Sequence, residues 1–262
     1  MPIQNIVFLH GWGLNSGVWV DFVARFQLVE PSIKVYLIDI AGYGTQASKL
    51  SSSDIETLAV DCLARAPEQA LWVAWSLGGM IALKAAASVN NAVKPRIQAL
   101  QLISTTPRFV QADDWPQGVE LASFQRFCDV LSENYDQALI KFLAMQAGAD
   151  KAAQKAASRA HEAICEQTAP SPETLQLGID CLGQHNMLNQ LKPLGIPTQV
   201  VCGSLDRVAH PNASNVLADK LQCELITYRT GHAPFLTQAE QTLAGLRDFI
   251  RAVNFQNSGA KI

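Results

Sequence analysis

Strand-forming, largely apolar runs recur along the chain at Ile3–Leu9, Lys34–Asp39, Leu71–Trp75, Ala99–Ser104, Gln199–Gly203 and Glu224–Tyr228. They are short, and most are apolar without the alternation expected of a strand with one face in water. The segments between them are longer and carry helical periods. Buried strands alternating with helices predict an α/β fold, a mostly parallel sheet flanked by helices on both faces. The alternation lapses between Pro107 and Pro193, where helical periods such as Leu121-Phe124-Phe127-Cys128-Leu131 and Leu139-Phe142-Leu143 dominate. The expected organisation is therefore a core from residues 1–106 and 194–262 with a helical cap inserted over 107–193. The polar tail Asn257–Ile262 is expected to fray.

Composition removes several classes of function. A chain of 262 residues that is 48% hydrophobic can bury a large core, and a net charge of −3 argues against a nucleic-acid binder. No apolar stretch reaches the roughly 18 residues of a membrane span. Met1 is followed by Pro2, Gln4 and Asn5 rather than by a signal peptide, so a cytoplasmic protein is expected, and a monomer. The six cysteines, Cys62, Cys128, Cys165, Cys181, Cys202 and Cys223, form no C-x-x-C pair. Neither a disulfide framework nor a metal site is expected from that spacing, and most of the thiols read as small buried hydrophobes.

The most informative segment follows the run Leu71-Trp72-Val73. There Ala74-Trp75-Ser76-Leu77-Gly78-Gly79 leads into the helical pattern Met80-Ile81-Ala82-Leu83. A serine between small residues at a strand-to-helix turn has the form of a nucleophile elbow, usually spelled G-x-S-x-G, with Ala74 here in place of the first glycine. A serine hydroxyl needs a base, and the base needs a group that fixes its tautomer. His232, in Thr230-Gly231-His232-Ala233-Pro234-Phe235, follows the last strand run, and Asp206 follows the one before it. Singly, such residues are ordinary: a surface histidine, or a turn aspartate capping the helix near Asn212. Together, Ser76, Asp206 and His232 keep the serine, acid, histidine order of α/β-hydrolases, each beyond the carboxyl end of a strand. A serine at 76 also disfavours the dehalogenase and epoxide hydrolase chemistries, which need a carboxylate there.

An oxyanion hole would take the backbone N–H of Leu77, after the nucleophile, and that of Trp12 in His10-Gly11-Trp12-Gly13, where two glycines let the loop bend toward a reacting carbonyl. His10 reads as a buried structural histidine bracing this loop, Asn15 and Ser16 as helix caps, and the indoles of Trp12 and Trp75 as pocket walls.

With these residues in hand, the chain resembles the pimeloyl-[acyl-carrier protein] methyl ester esterase family of carboxylesterases in biotin synthesis. The shared strings are His10-Gly11-Trp12-Gly13-Leu14-Asn15, Trp75-Ser76-Leu77-Gly78-Gly79, Asp114-Trp115-Pro116, Phe142-Leu143-Ala144-Met145-Gln146 and Gly231-His232-Ala233-Pro234-Phe235. The resemblance implies an α/β-hydrolase core with a four-helix cap, no cofactor, and hydrolysis of a methyl ester on an acyl carrier protein. It also implies substrate contacts from Trp12, Leu77 and Phe142, Leu143, Ala144, Met145 and Gln146, beside Ser76 and His232. A general short-chain carboxylesterase, a carbon–carbon bond hydrolase or a non-catalytic binding protein of the same fold are the alternatives.

Charge along the cap bears on the partner. Lys141–His161 carries Lys141, Lys151, Lys155 and Arg159 against Asp150, a balance of +3 that leaves −6 on the rest of the chain. Lys151, Lys155 and Arg159 recur every four residues of an alanine-rich helix and would present a ridge to an acidic carrier. By charge alone, a solvated face keeping the helix soluble explains them better.

Overall fold

Six strands form one parallel sheet in the order β2-β1-β3-β4-β5-β6. They are β1 (Asn5–Leu9), β2 (Lys34–Ile38), β3 (Ala70–Trp75), β4 (Ile97–Ile103), β5 (Thr198–Gly203) and β6 (Glu224–Tyr228), close to the runs expected. The computed structural model describes residues 1–88, 96–147 and 150–258. The side chains of Phe127, Cys128 and Leu131 from the expected cap period, and residues 259–262 of the expected frayed tail, lie outside the described residues.

Strand composition follows position in the sheet. All of β3 is buried, whereas the edge strands β2 and β6 are partly exposed. Side chains alternate between faces, so each strand supplies two cores. Val7, Leu9, Trp72, Ala74, Leu100 and Leu102 pack with α2 (Ile55–Arg65), α3 (Leu77–Ser88) and α8 (Pro211–Leu221). Ile6, Phe8, Leu71, Val73 and Ile103 pack with α1 (Val20–Val29), the short α9 (Pro234–Thr237) and α10 (Ala239–Asn257). Strand order reverses between β1 and β3, and the crevice beyond their carboxyl ends is where an α/β sheet binds ligands.

Between β4 and β5 lie α4 (Leu121–Glu133), α5 (Tyr135–Ala147), α6 (Lys151–Cys165) and α7 (Pro172–Gln184). They straddle both cores. Phe124, Leu175, Ile179 and Leu182 join the first, and Leu139, Leu143, Ala153, Ala157, Ala160 and Ile164 join the second. The alanines of α6 have a reason: its backbone lies against a 3₁₀ turn at Ser16–Trp19, and a Cβ on Gly17 would fall 2.6 Å from the Ala163 carbonyl carbon. Small residues on both sides let α6 sit this close to the turn. Asn15 caps the turn by accepting from the Gly17 N–H, and its Nδ2 donates to the Ile164 carbonyl. Ser16 is not a cap; its N–H donates to Asp39.

Cys62, Cys181 and Cys202 are buried as expected, but Cys165 is exposed. Among the described residues, no helix is long and apolar enough to cross a membrane.

Candidate active site

Ser76 sits between β3 and α3 with φ +55°, a left-handed conformation that side chains other than glycine adopt only where the surroundings hold it. Its N–H donates to the Ile103 carbonyl and its carbonyl accepts from Met80, which pins the turn from the neighbouring strand and from the helix. The two following glycines are required by contact. A Cβ on Gly78 would lie 2.3 Å from the His10 carbonyl oxygen, and one on Gly79 would overlap the Thr105 side chain. Ala74, in the usual place of a glycine, is fully buried opposite Leu9 of β1, so a methyl group fits there. As the first residue of α3, Leu77 has an N–H with no partner inside the helix, at the end where the helix dipole favours negative charge.

Asp206 and His232 are both buried, and His232 Nδ1 lies 2.8 Å from Asp206 Oδ2. A carboxylate only accepts, so Nδ1 carries the proton and Nε2 is left as the basic nitrogen. The other carboxylate oxygen, Oδ1, accepts from the N–H groups of Val208 and Ala209 and holds the acid in its turn. Asp206 thus braces its own loop while orienting the imidazole. Capping near Asn212, the alternative reading for Asp206, falls instead to His210, whose Nδ1 accepts from the Asn212 N–H. Two further bonds fix the His232 backbone: the Trp75 indole donates to its carbonyl at 2.8 Å, and its N–H donates to Gln146 Oε1 at 2.9 Å.

The front loop is fixed by His10, which is fully buried. Its Nδ1 donates to the Gly11 carbonyl at 2.8 Å and its Nε2 accepts from the Ile40 N–H at 3.0 Å, so the ring is neutral. The 3.7 Å approach of Nε2 to Asp39 is therefore not an ion pair. Burial pushes the His10 pKa below its ordinary value, against the pull of Asp39. The Tyr135 hydroxyl donates to the Gly13 carbonyl and the Trp12 indole to the Leu175 carbonyl, tying this loop to α5 and α7. A Cβ on Gly178 would meet the Trp12 ring at 2.3 Å, so this glycine is the notch in α7 that seats the indole.

Ser76 and His232 line one pocket of about 240 Å³, together with Trp12, Trp75 and an apolar wall that includes Phe109, Phe124 and Phe142. Of the expected substrate contacts besides Trp12, Ser76 and His232, Phe142 and Met145 also line it, on the same face of α5 as Leu139. The others are placed differently. Leu143 points from the same helix into the second core, Ala144 is exposed, and Gln146 holds the His232 loop. The Leu77 side chain is buried in the first core, leaving its backbone N–H as the group that can serve the site. Phe109, Val119, Leu182, Arg207 and Val208 also line the pocket. Their stretches of sequence carry no periodic or motif signal that sets them apart.

The basic ridge on α6 is incomplete. Lys151 and Lys155 are exposed, as is Lys141 on α5, but Arg159 forms an ion pair with Asp21 of α1. Each four-residue step advances about 40° around a helix, so Arg159 is turned some 80° from Lys151, toward α1.

Parallel topology, the elbow and the buried acid–histidine pair together define an α/β hydrolase. A family model described as "Alpha/beta hydrolase family" matches residues 6–245, and the chain belongs to that family. Among its curated relatives, a "Pimeloyl-[acyl-carrier protein] methyl ester esterase" of Xylella fastidiosa is 32% identical over 94% of each chain. One of the same name from Stenotrophomonas maltophilia is 31% identical over 97% of this chain and 96% of its own. The chain stands within this esterase family, as the resemblance implied. An esterase from Exiguobacterium antarcticum superposes with a TM-score of 0.78 at 21% identity, covering 95% of this chain and 92% of its own. At that identity the likeness speaks for the fold.

Proposed function

We propose that the protein is a serine carboxylesterase that hydrolyses the methyl ester of a pimeloyl group carried on acyl carrier protein, releasing methanol. The observation that carries this reading is the placement of Ser76, at positive φ on its elbow, in one pocket with a His232 whose Nδ1 is held by Asp206. His232 Nε2 takes the Ser76 proton as the hydroxyl oxygen attacks the ester carbonyl. The oxyanion is held by the N–H groups of Leu77 and Trp12, at a helix start and in a loop fixed by His10. Collapse of the tetrahedral intermediate breaks the bond to methoxide, and the proton on Nε2 passes to it to give methanol. Water, deprotonated by the same nitrogen, then releases the acid and regenerates Ser76.

The pocket suits an acyl chain. Its wall of Phe109, Phe124, Phe142 and Leu182 offers apolar surface to methylenes. A cavity of about 240 Å³ admits the acyl group and excludes the carrier, which must stay outside. Lys141, Lys151 and Lys155 supply exposed positive charge on the cap helices for an acidic partner. Incubation of methyl-pimeloyl carrier protein with the enzyme, followed by intact mass spectrometry, tests the reading. The expected result is loss of one CH₂ from the carrier-bound species. Hydrolysis of small methyl esters with no change in the carrier-bound one would point to a general esterase instead.

A further inference from the structure

Away from the pocket, two cap helices bring together three side chains of metal-ligating type. His161 and Cys165 are four residues apart in the second half of α6 and share one face, and Asp136 lies in the first turn of α5. His161 Nε2 is 2.9 Å from Asp136 Oδ1, Cys165 Sγ is 3.4 Å from the same oxygen, and Sγ and Nε2 are 3.5 Å apart. In a tetrahedral zinc site, bond lengths of about 2.0–2.1 Å to oxygen and nitrogen and about 2.3 Å to sulfur put the donors roughly 3.3 Å apart for O and N and roughly 3.6 Å apart for pairs that include sulfur. The triangle in the protein is within a few tenths of an ångström of that on each edge. Asp136 and Cys165 are exposed and His161 is partly so, which leaves a fourth position open to water.

We propose that Asp136, His161 and Cys165 form a zinc-binding site that clamps α5 to α6. The donor set is chemically apt: one carboxylate and one thiolate neutralise the dication, and imidazole and thiolate are preferred zinc ligands. On binding, the Cys165 S–H bond breaks, its proton goes to solvent and a Zn–S bond forms; His161 binds as the neutral ring, with its proton on Nδ1. A reactive-cysteine reading of the cluster fits less well. Burial and the adjacent Asp136 carboxylate both raise the Cys165 pKa, which disfavours a free thiolate. The clamp has a structural consequence. Tyr135, next to Asp136, bonds Gly13 of the front loop, and α5 further on carries Phe142 and Gln146. A metal here would fix the start of the helix that roofs the pocket.

The test uses the purified, metal-free full chain titrated with Co²⁺ and then with Zn²⁺. One equivalent of Co²⁺ is expected to give a near-ultraviolet thiolate-to-metal band that Zn²⁺ abolishes, and zinc at a hundredfold excess over Kd should raise the melting temperature by about 5 °C. In Cys165→Ser the band is expected to vanish and zinc affinity to fall by at least about tenfold, with melting of the metal-free protein unchanged because the side chain is exposed. His161→Gln, checked by circular dichroism, should behave alike if Cys165→Ser folds poorly. A wild-type protein with no band and no thermal shift, or a Cys165→Ser protein that binds zinc as tightly as wild type, would overturn the proposal.

Discussion

Gln146→Leu separates two roles for one residue. Family resemblance makes Gln146 a substrate contact, whereas the structure has its Oε1 accepting the His232 N–H at 2.9 Å. Leucine keeps most of the volume and removes the acceptor. An unpaired buried N–H costs roughly 1–3 kcal/mol, and Gln146 is only half-buried, so water can partly replace it and the lower end, about 1 kcal/mol, applies. For a chain of this length that is a fall of about 2–4 °C in melting temperature. The catalytic effect follows from the anchors that remain. Misplacing a reacting group by about 1 Å costs up to about 100-fold, but Trp75 still holds the His232 carbonyl and Asp206 still holds its ring. A fall of about tenfold in kcat is therefore expected, with KM within about twofold. Gln146→Glu retains an acceptor and should recover most of kcat. Steady-state hydrolysis of a small methyl ester, run beside thermal melts of all three proteins, measures this. A leucine variant with wild-type kcat and raised KM would refute the positioning role and restore the substrate contact.

Other perturbations probe other parts of the account. Asp206→Asn should lower kcat by about 10⁴-fold in the same esterase assay with little change in KM, because the imidazole loses its tautomer. Gly78→Ala should cost more than about 2 kcal/mol in denaturant melts, since its Cβ would sit 2.3 Å from the His10 carbonyl and the elbow must shift. The depressed pKa of His10 means that the unfolded chain binds the proton first as pH drops below 6.5, so stability should fall from there until the folded histidine itself titrates; His10→Gln should flatten that part of the melting-temperature profile. Reversing Lys141, Lys151 and Lys155 to glutamate should raise KM for the carrier-bound ester and weaken its salt dependence while leaving a small methyl ester within about twofold. Arg159→Glu should instead destabilise the fold, since it meets Asp21.

What was legible in the sequence depended on the range of the signal. The strands of the sheet could be read because burial on both faces leaves near-continuous apolar runs, and Ser76 because an elbow is a local motif. The roles of Gln146 and Arg159 could not. Each is set by a partner far along the chain, His232 for one and Asp21 for the other, and spacing along a helix does not say what lies opposite it. Asp136, His161 and Cys165 escaped for a related reason: a search for paired cysteines does not find a donor set shared between two helices. Phe109, Val119 and Leu182 come from separate parts of the chain and meet only in the folded protein, where they line one pocket.

The most direct test of the central claim is labelling by a fluorophosphonate, which reacts only with an activated serine, followed by peptide mass spectrometry. The account predicts a single adduct on Ser76, slowed by methyl-pimeloyl carrier protein and absent from Ser76→Ala, whose esterase turnover should fall by at least about 10⁴-fold. Labelling of another serine, or a Ser76→Ala protein that still turns over the carrier-bound ester, would contradict it.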